Sequence, residues 1–373
     1  MSFATEMTPE QTLKTIQINS IHKTPIFIWG PPGIGKSEIV REAANKLGMG
    51  FVDIRLSQKE PSSLSGIPHI VENARGEKIM QYSHPSQMPY EGEKTVVFLD
   101  ELPNAAPLVQ SAAYELILDR RLGEYKLPED CIVIAAGNRL NDKGGTFKMA
   151  KPLQNRFIHV EMKADYEEWK TWAIKKQIHP FILGYLENNT QDLMDFDPSN
   201  TSHAYPTPRS WVYVSNIMHA YEKTFNDLGS LDEKDNNMFF NTISGAVGVG
   251  VNAKFSEYLN GAYTLPKVKD IVNGKVTTIK KDKTHLHFTL VNSLCYEIKN
   301  MDLKRINGEI TMDEYAKIVN TILDFIKNNC SLELCTVALR NLVNIMDVHI
   351  DVNWKGFSFF AKNFSKIMVE EDA

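Results

Sequence analysis

"GPPGIGKS", residues 30–37, decides how this chain is read. It follows the apolar run "TPIFIW" (24–29) and leads into "EIVREAANKLG" (38–48). In that second stretch Ile39, Val40, Ala43, Ala44 and Leu47 recur at helical spacing, and Gly48 suits a C-cap. The octet matches G-x-x-x-x-G-K-[S/T] in full, the glycine loop between a strand and a helix that cradles nucleotide phosphates. Its cradle comprises Gly30, Pro31, Pro32, Gly33, Ile34, Gly35, Lys36, Ser37 and Glu38. Backbone N–H groups and the positive helix end face the β-phosphate, Lys36 reaches the β- and γ-oxygens, and Ser37 ligates Mg²⁺. The glycines let the backbone come close. A loop holding no nucleotide is the bland alternative, and the strand before and helix after count against it.

A phosphate loop alone hydrolyses nothing. It needs a carboxylate at the end of a neighbouring buried strand, and "TVVFLDEL" (95–102) supplies two. Asp100 suits the Mg²⁺ shell, and Glu101 suits polarisation of the attacking water. The alternative is a pair of acids capping the next helix. Simple switches and small-molecule kinases usually lack the second carboxylate, so the pair reads as an ATPase signature. Asn138 ends "CIVIAAGN" (131–138), where an amide can reach both the γ-phosphate and the water. Taken alone, Asn138 reads better as a turn former; together with the phosphate loop and the acidic pair it reads as the sensing residue.

Bulk properties fit a globular protein and narrow the partners. The 373 residues exceed one small core and suggest two or three domains. A net charge of −5 provides no general attraction to nucleic acid or anionic membrane. Cys131, Cys295, Cys330 and Cys335 form no CxxC pair, which suits buried thiols in a reduced cytoplasm. The start "MSFATEMTPEQTLK" has no signal-peptide pattern, and no apolar run reaches membrane-spanning length. The expectation is a soluble cytoplasmic protein.

Along the chain, "TPEQTLKTIQINS" (8–20) reads as a helix with Thr8 as N-cap and Pro9 in its first turn. Strands read at 24–29 and 50–56, and at the short, continuously apolar runs 95–100 and 131–138, alternate with helices. That pattern predicts an α/β fold, a doubly wound parallel sheet ending near residue 163. Two hairpin insertions interrupt it, at 69–82 and 120–130. Helical patterns follow: 164–262 reads as an α-helical lid, with "MFFNTISGAVGVGVNAKFSEYL" as one helical stretch. A basic, glycine-containing segment (265–283) marks a boundary, and 263–373 reads as a mainly helical C-terminal extension without an assigned role.

The ordered set "GPPGIGKS", "VVFLDEL", "IVIAAGN", "PLQNRF" and "TPRSW" resembles AAA+ ATPases of the MoxR type, near the CbbQ/NorQ branch. The likeness covers roughly residues 10–270. It implies an AAA+ P-loop core, ATP and Mg²⁺ as cofactors, and a catalytic set of Glu101, Asn138, Arg156 and Arg209. Arg156 in "QNRF" matches the arginine finger that reaches the nucleotide of a neighbouring subunit, a role its forked guanidinium suits. A merely solvated arginine is the alternative. Arg209 in "TPRSW" matches sensor 2, acting in cis or in trans. The resemblance further implies self-association into a hexameric ring and a von Willebrand A-domain protein partner. The expected function is remodelling or maturation of a protein client, with a nucleic-acid motor or loader acting on DNA, or an ATP-bound scaffold, as alternatives.

Several signals read more simply as structure. "RLSQKEPSSLSG" (55–66) stands where ring ATPases place a channel loop but lacks the aromatic-hydrophobic pair of unfoldases. Arg75 and Lys126 can face a channel or be solvated hairpin tips. His285 and His287, imagined on one side of a strand, lack a third metal ligand nearby. Asp197, Ser199 and Thr201 faintly resemble a von Willebrand metal loop but read as a lid loop. The lysines of 267–283 have no aromatic stacking partners and read as solvated.

Overall fold

Strands form at the apolar runs. The computed structural model describes residues 6–83, 85–139, 142, 147, 149–279, 284–351 and 353–364. Within them lie β1 (Glu6–Met7), β2 (Ile26–Trp29), β3 (Gly50–Arg55), β4 (Ile67–Glu72) and β5 (Lys78–Ser83). After these come β6 (Thr95–Asp100), β7 (Arg121–Leu122), β8 (Tyr125–Lys126), β9 (Ile132–Gly137) and β10 (Ile158–Met162). The main sheet has the order β1-β10-β2-β9-β6-β3, and every neighbouring pair is parallel.

The alternation of side chains along the central strands β2, β6 and β9, covered on both faces, explains why these three runs are almost wholly apolar. Phe27, Trp29, Val97, Leu99, Val133 and Ala135 pack on one face, with Leu64 of α3 (Pro61–Ser65) and Val109, Ala113 and Leu116 of α4 (Pro107–Asp119). Ile26, Ile28, Val96, Phe98, Ile132, Ile134 and Ala136 pack on the other. That second face is covered by Ile16 of α1 (Pro9–Ser20) and by Val40, Ala43 and Ala44 of α2 (Lys36–Lys46). Thr8 caps α1 through a capping box with Gln11, and Pro9 stands in the first turn as the sequence predicts.

The order places the site. From β2 the chain passes to β3 at one edge, and from β9 it crosses to β10 on the far side of β2. The carboxyl end of β2 therefore lies at a topological switch point, where open α/β sheets bind ligands. Both insertions are hairpins. β4 and β5 pair antiparallel around a turn in which the Asn73 side-chain carbonyl accepts from the Arg75 and Glu77 N–H groups. Ile70 and Met80 face each other across this hairpin and are largely exposed. β7 and β8 form the second, and both Arg75 and Lys126 are exposed.

The chain divides into two compact units: 1–168 with 196–201 and 207–209, and 169–195 with 202–206 and 210–373. The second unit is helical. Tyr185, Trp211 and Phe255 make an aromatic core there, and the Trp211 indole donates to the Asp192 carbonyl at 2.8 Å. The stretch read as one helix is two, Glu233–Val247 and Val249–Ala262. They break at Gly248, whose φ of +85° no continuing helix accepts and whose missing side chain leaves room for the Ala204 carbonyl. His287 belongs to the helix Thr284–Ile306, not to a strand, and is buried; the His285 side chain lies outside the described residues. Asp197 accepts from the Ser199 N–H at 2.7 Å within a loop. Of the basic stretch, Lys267 pairs with Asp227 at 2.7 Å and Lys275 with Asp270 at 3.7 Å, while Lys280, Lys281 and Lys283 lie outside the described residues.

One cluster in this unit carries a pH prediction. Buried His179 donates from Nε2 to Glu222 at 3.0 Å, and His219 lies 3.5 Å from the same carboxylate. Burial alone would raise the Glu222 pKa, but the bonds from His179 and His219 and their charges hold it down to about 2. Its stabilisation is therefore complete above about 4.5 and lost as pH falls toward 2. Glu222→Gln should lower the melting temperature at pH 7 and flatten that acid limb. The effect should be on the order of 1 kcal/mol, discounted because the carboxylate is 43% exposed.

Candidate nucleotide-binding site

The loop between β2 and α2 turns on two left-handed glycines, Gly33 at φ +78° and Gly35 at φ +106°. A Cβ at Gly33 would stand 2.8 Å from the Thr207 hydroxyl, so this residue also makes room for a neighbouring loop. Pro31 and Ile34 are buried and anchor the loop, while the Glu38 side chain is exposed in the first turn of α2. Lys36 is buried and donates to the carbonyls of Gly30 (2.7 Å) and Pro31 (3.1 Å) and to Asn138 Oδ1 (3.0 Å). Burial lowers its pKa to about 8, against the carboxylates of Asp100 and Asp142, which raise it; Arg209 and Arg139 add to the lowering.

The carboxyl ends of three adjacent strands thus meet. Ser37 donates to Asp100 Oδ2 at 3.2 Å, and the Glu101 N–H donates to Asp100 Oδ1 at 2.9 Å. Burial raises the Asp100 pKa. Glu101 takes up the left-handed region at φ +57°, an uncommon conformation for a side-chain-bearing residue, and its carboxylate accepts from the Ser57 hydroxyl. The next turn packs hard against β9: a Cβ at Gly137 would overlap the Pro103 ring. Gly137→Ala is expected to destabilise by about 1–3 kcal/mol through overpacking, read as a lowered melting temperature.

Hard oxygen donors at Ser37 and Asp100 fit Mg²⁺, and a buried Asp53 oxygen without a hydrogen-bond partner marks further acidic capacity beside them. Arg209 sits where the helix Pro208–Phe225 begins; its N–H donates to the Gly33 carbonyl at 3.2 Å, and its side chain is exposed. Arg156 follows α5 (Lys151–Gln154) and is also exposed; the arginines whose charges act on Lys36 are Arg209 and Arg139. The structure thus joins Lys36, Ser37, Asp100 and Asn138, places Glu101 beside them, and brings Arg209 near through its backbone.

Sequence reading missed Ser57, Arg139 and Asp142. Arg139 bonds Asp142 at 3.1 Å and Glu161 at 3.2 Å, bracing the residue after Asn138. Arg139 adjoins a singled-out residue and was findable by adjacency. Ser57 reaches Glu101 only because β3 pairs with β6 in the register Arg55↔Asp100.

Comparison with known proteins agrees with this geometry. Residues 26–162 match the family described as "ATPase family associated with various cellular activities (AAA)". This region is an AAA ATPase domain. ATP, with Mg²⁺, is the nucleotide of that domain type, and its activity is ATP hydrolysis. The chain is 26% identical over 180 residues to midasin of Giardia intestinalis, covering 45% of this chain and 4% of that protein. It is 26% identical over 185 residues to the proteasome-associated ATPase of Salinispora tropica, covering 46% and 30%. The chain therefore spans under a third of the length of either relative. Among solved structures, the Thermotoga maritima RuvB Holliday junction branch migration motor aligns over 71% of this chain and 74% of its own at 14% identity, with a TM-score of 0.35. NtrX of Brucella abortus with ADP aligns over 97% and 68% at 12% identity, with a TM-score of 0.39. No helix among the described residues is long and apolar enough to cross a membrane.

A lysine that binds phosphate does so in its charged form, so a site built on Lys36 should show full nucleotide affinity below about pH 8 and a decline above it, checked by titrating a fluorescent ATP analogue from pH 7 to 9.5.

Proposed function

We propose that this protein is a ring-forming AAA+ ATPase of the MoxR type, near the CbbQ/NorQ branch, that remodels or matures a protein client with a von Willebrand A-domain adaptor. In this reading 1–163 is the nucleotide core, 164–262 the lid and 263–373 an extension. The observation that carries it is a division of the machinery. Lys36, Ser37, Asp100 and Asn138 converge in one chain, whereas Arg156 is exposed.

Ser37 and Asp100 would hold Mg²⁺, and Lys36 would give its charge to the β- and γ-oxygens. Mg²⁺, when bound, neutralises charge developing on the phosphates. Glu101 would accept a proton from the attacking water, and Asn138 would orient that water while touching Lys36. Arg156 would bring the transition-state charge partner to the next subunit's nucleotide, which requires a closed assembly. Hexamers are common among AAA ATPases. The hairpin β4–β5 favours a protein client: its exposed Ile67, Ile70 and Met80 suit an apolar protein surface better than a phosphate backbone.

The test is a mixing experiment. Arg156→Ala and Glu101→Gln should each hydrolyse ATP poorly alone, and mixed rings should recover activity at sites pairing an intact Glu101 with a neighbour's intact Arg156. Absence of recovery would reject the finger in trans.

A further inference from the structure

The strand that runs into the P-loop is tied to the turn that bears Arg156. Trp29, its last residue, donates its indole N–H to His159 Nδ1 at 2.9 Å. With Nδ1 accepting, the ring proton of neutral His159 sits on Nε2, which donates to the Gln154 carbonyl at 2.8 Å. Gln154 closes α5 two residues before Arg156, and its side-chain amide donates to the Met149 carbonyl at 3.0 Å. On the other side of Arg156, buried Phe157 packs edge-on against Phe27 with ring centroids 5.3 Å apart. The His159 and Trp29 rings lie edge to edge and near-coplanar, with centroids 6.1 Å apart and planes 22° apart, as an in-plane N–H···N bond requires. Exposed Arg156 therefore stands between two anchors, and both end on β2, Phe157 at Phe27 directly and Gln154 at Trp29 through His159.

We propose that His159 is a positioning residue that fixes the Arg156 turn to the strand carrying its own subunit's P-loop. The inference rests on the reading of Arg156 as a finger acting on the neighbouring subunit. Neutral imidazole suits the position because it presents an acceptor and a donor at once, on opposite sides of a flat ring that fills the space between β2 and α5. Phenylalanine keeps the ring and loses both bonds. A finger displaced by an ångström loses much of its effect on the transition state while leaving nucleotide binding alone.

The experiment uses the full-length His159→Phe protein. Its kcat for ATP should fall about tenfold, with fluorescent ADP affinity within about twofold of wild type. A purely structural residue would not produce the next result: mixing His159→Phe with Glu101→Gln, whose fingers are intact, should restore hydrolysis at the His159→Phe sites. His159→Gln, which retains one acceptor and one donor, should recover part of kcat. If His159→Phe does not fold, Trp29→Phe removes the indole donor from the same chain of bonds and should show the same kcat loss and the same rescue by mixing. Wild-type kcat in the folded variant, or a loss that mixing with Glu101→Gln leaves unrepaired, overturns the proposal. Those outcomes differ from failure of the finger reading itself, in which Arg156→Ala alone hydrolyses ATP like wild type.

Discussion

Glu101→Gln is expected to bind ATP as tightly as wild type and to hydrolyse it about 10²–10³-fold more slowly. General-base catalysis contributes on this scale, and glutamine keeps the size of the side chain while losing its capacity to take a proton. The structure favours a clean separation of binding from chemistry. The hydrogen bonds of Lys36 go to Gly30, Pro31 and Asn138, and that of Ser37 to Asp100, none of them to the Glu101 side chain. Glutamine can still accept from Ser57, so the left-handed backbone at 101 should persist. Fluorescent-nucleotide titration and phosphate release measure the two halves. Equal losses in both would place Glu101 in binding. The stalled protein also captures what it works on. Recovery of one protein with a von Willebrand A domain would support the remodelling reading, and recovery of nuclease-sensitive DNA that washes off in moderate salt would favour a nucleic-acid motor.

Lys36→Ala should weaken nucleotide binding on the order of a hundredfold. A hydrogen bond to a charged group contributes roughly 1.5–3 kcal/mol, and the ammonium of Lys36 is buried, where its attraction for phosphate is least screened. The folded state should tolerate the change better than the ligand does, because removing a buried cation also removes its desolvation cost. The measurement is the shift in melting temperature on adding ATP and Mg²⁺: present in wild type, absent in Lys36→Ala at the same nucleotide concentration. An undiminished shift would mean that binding rests on the loop backbone alone.

The phosphate loop and the buried strands were legible because both are written locally. A cradle of consecutive residues needs glycines at fixed offsets, and Gly33 and Gly35 stand in it with positive φ. A parallel strand covered on both faces needs apolar residues at every position, which is how 96–99 and 132–136 read. The break at Gly248 was not legible in this way. Small residues on both sides kept the helical pattern unbroken, and the decisive partner was a carbonyl more than 40 residues earlier, at Ala204. His287 was misplaced for a similar reason: in a short stretch, alternating histidines fit a strand as well as a buried helix.

The kind of chemistry to expect is written in short local stretches: a lysine and a serine behind a glycine loop, an acidic pair behind a buried strand, and the α/β alternation that brings such ends together. Tertiary structure alone decided which of these groups touch. Lys36 meets Asn138 across 102 residues, Ser57 meets Glu101 across 44, and Trp29 meets His159 across 130. Each contact depends on strand order and register, which arise when two apolar faces are buried at once, and pairwise spacing along the chain does not encode that collective choice.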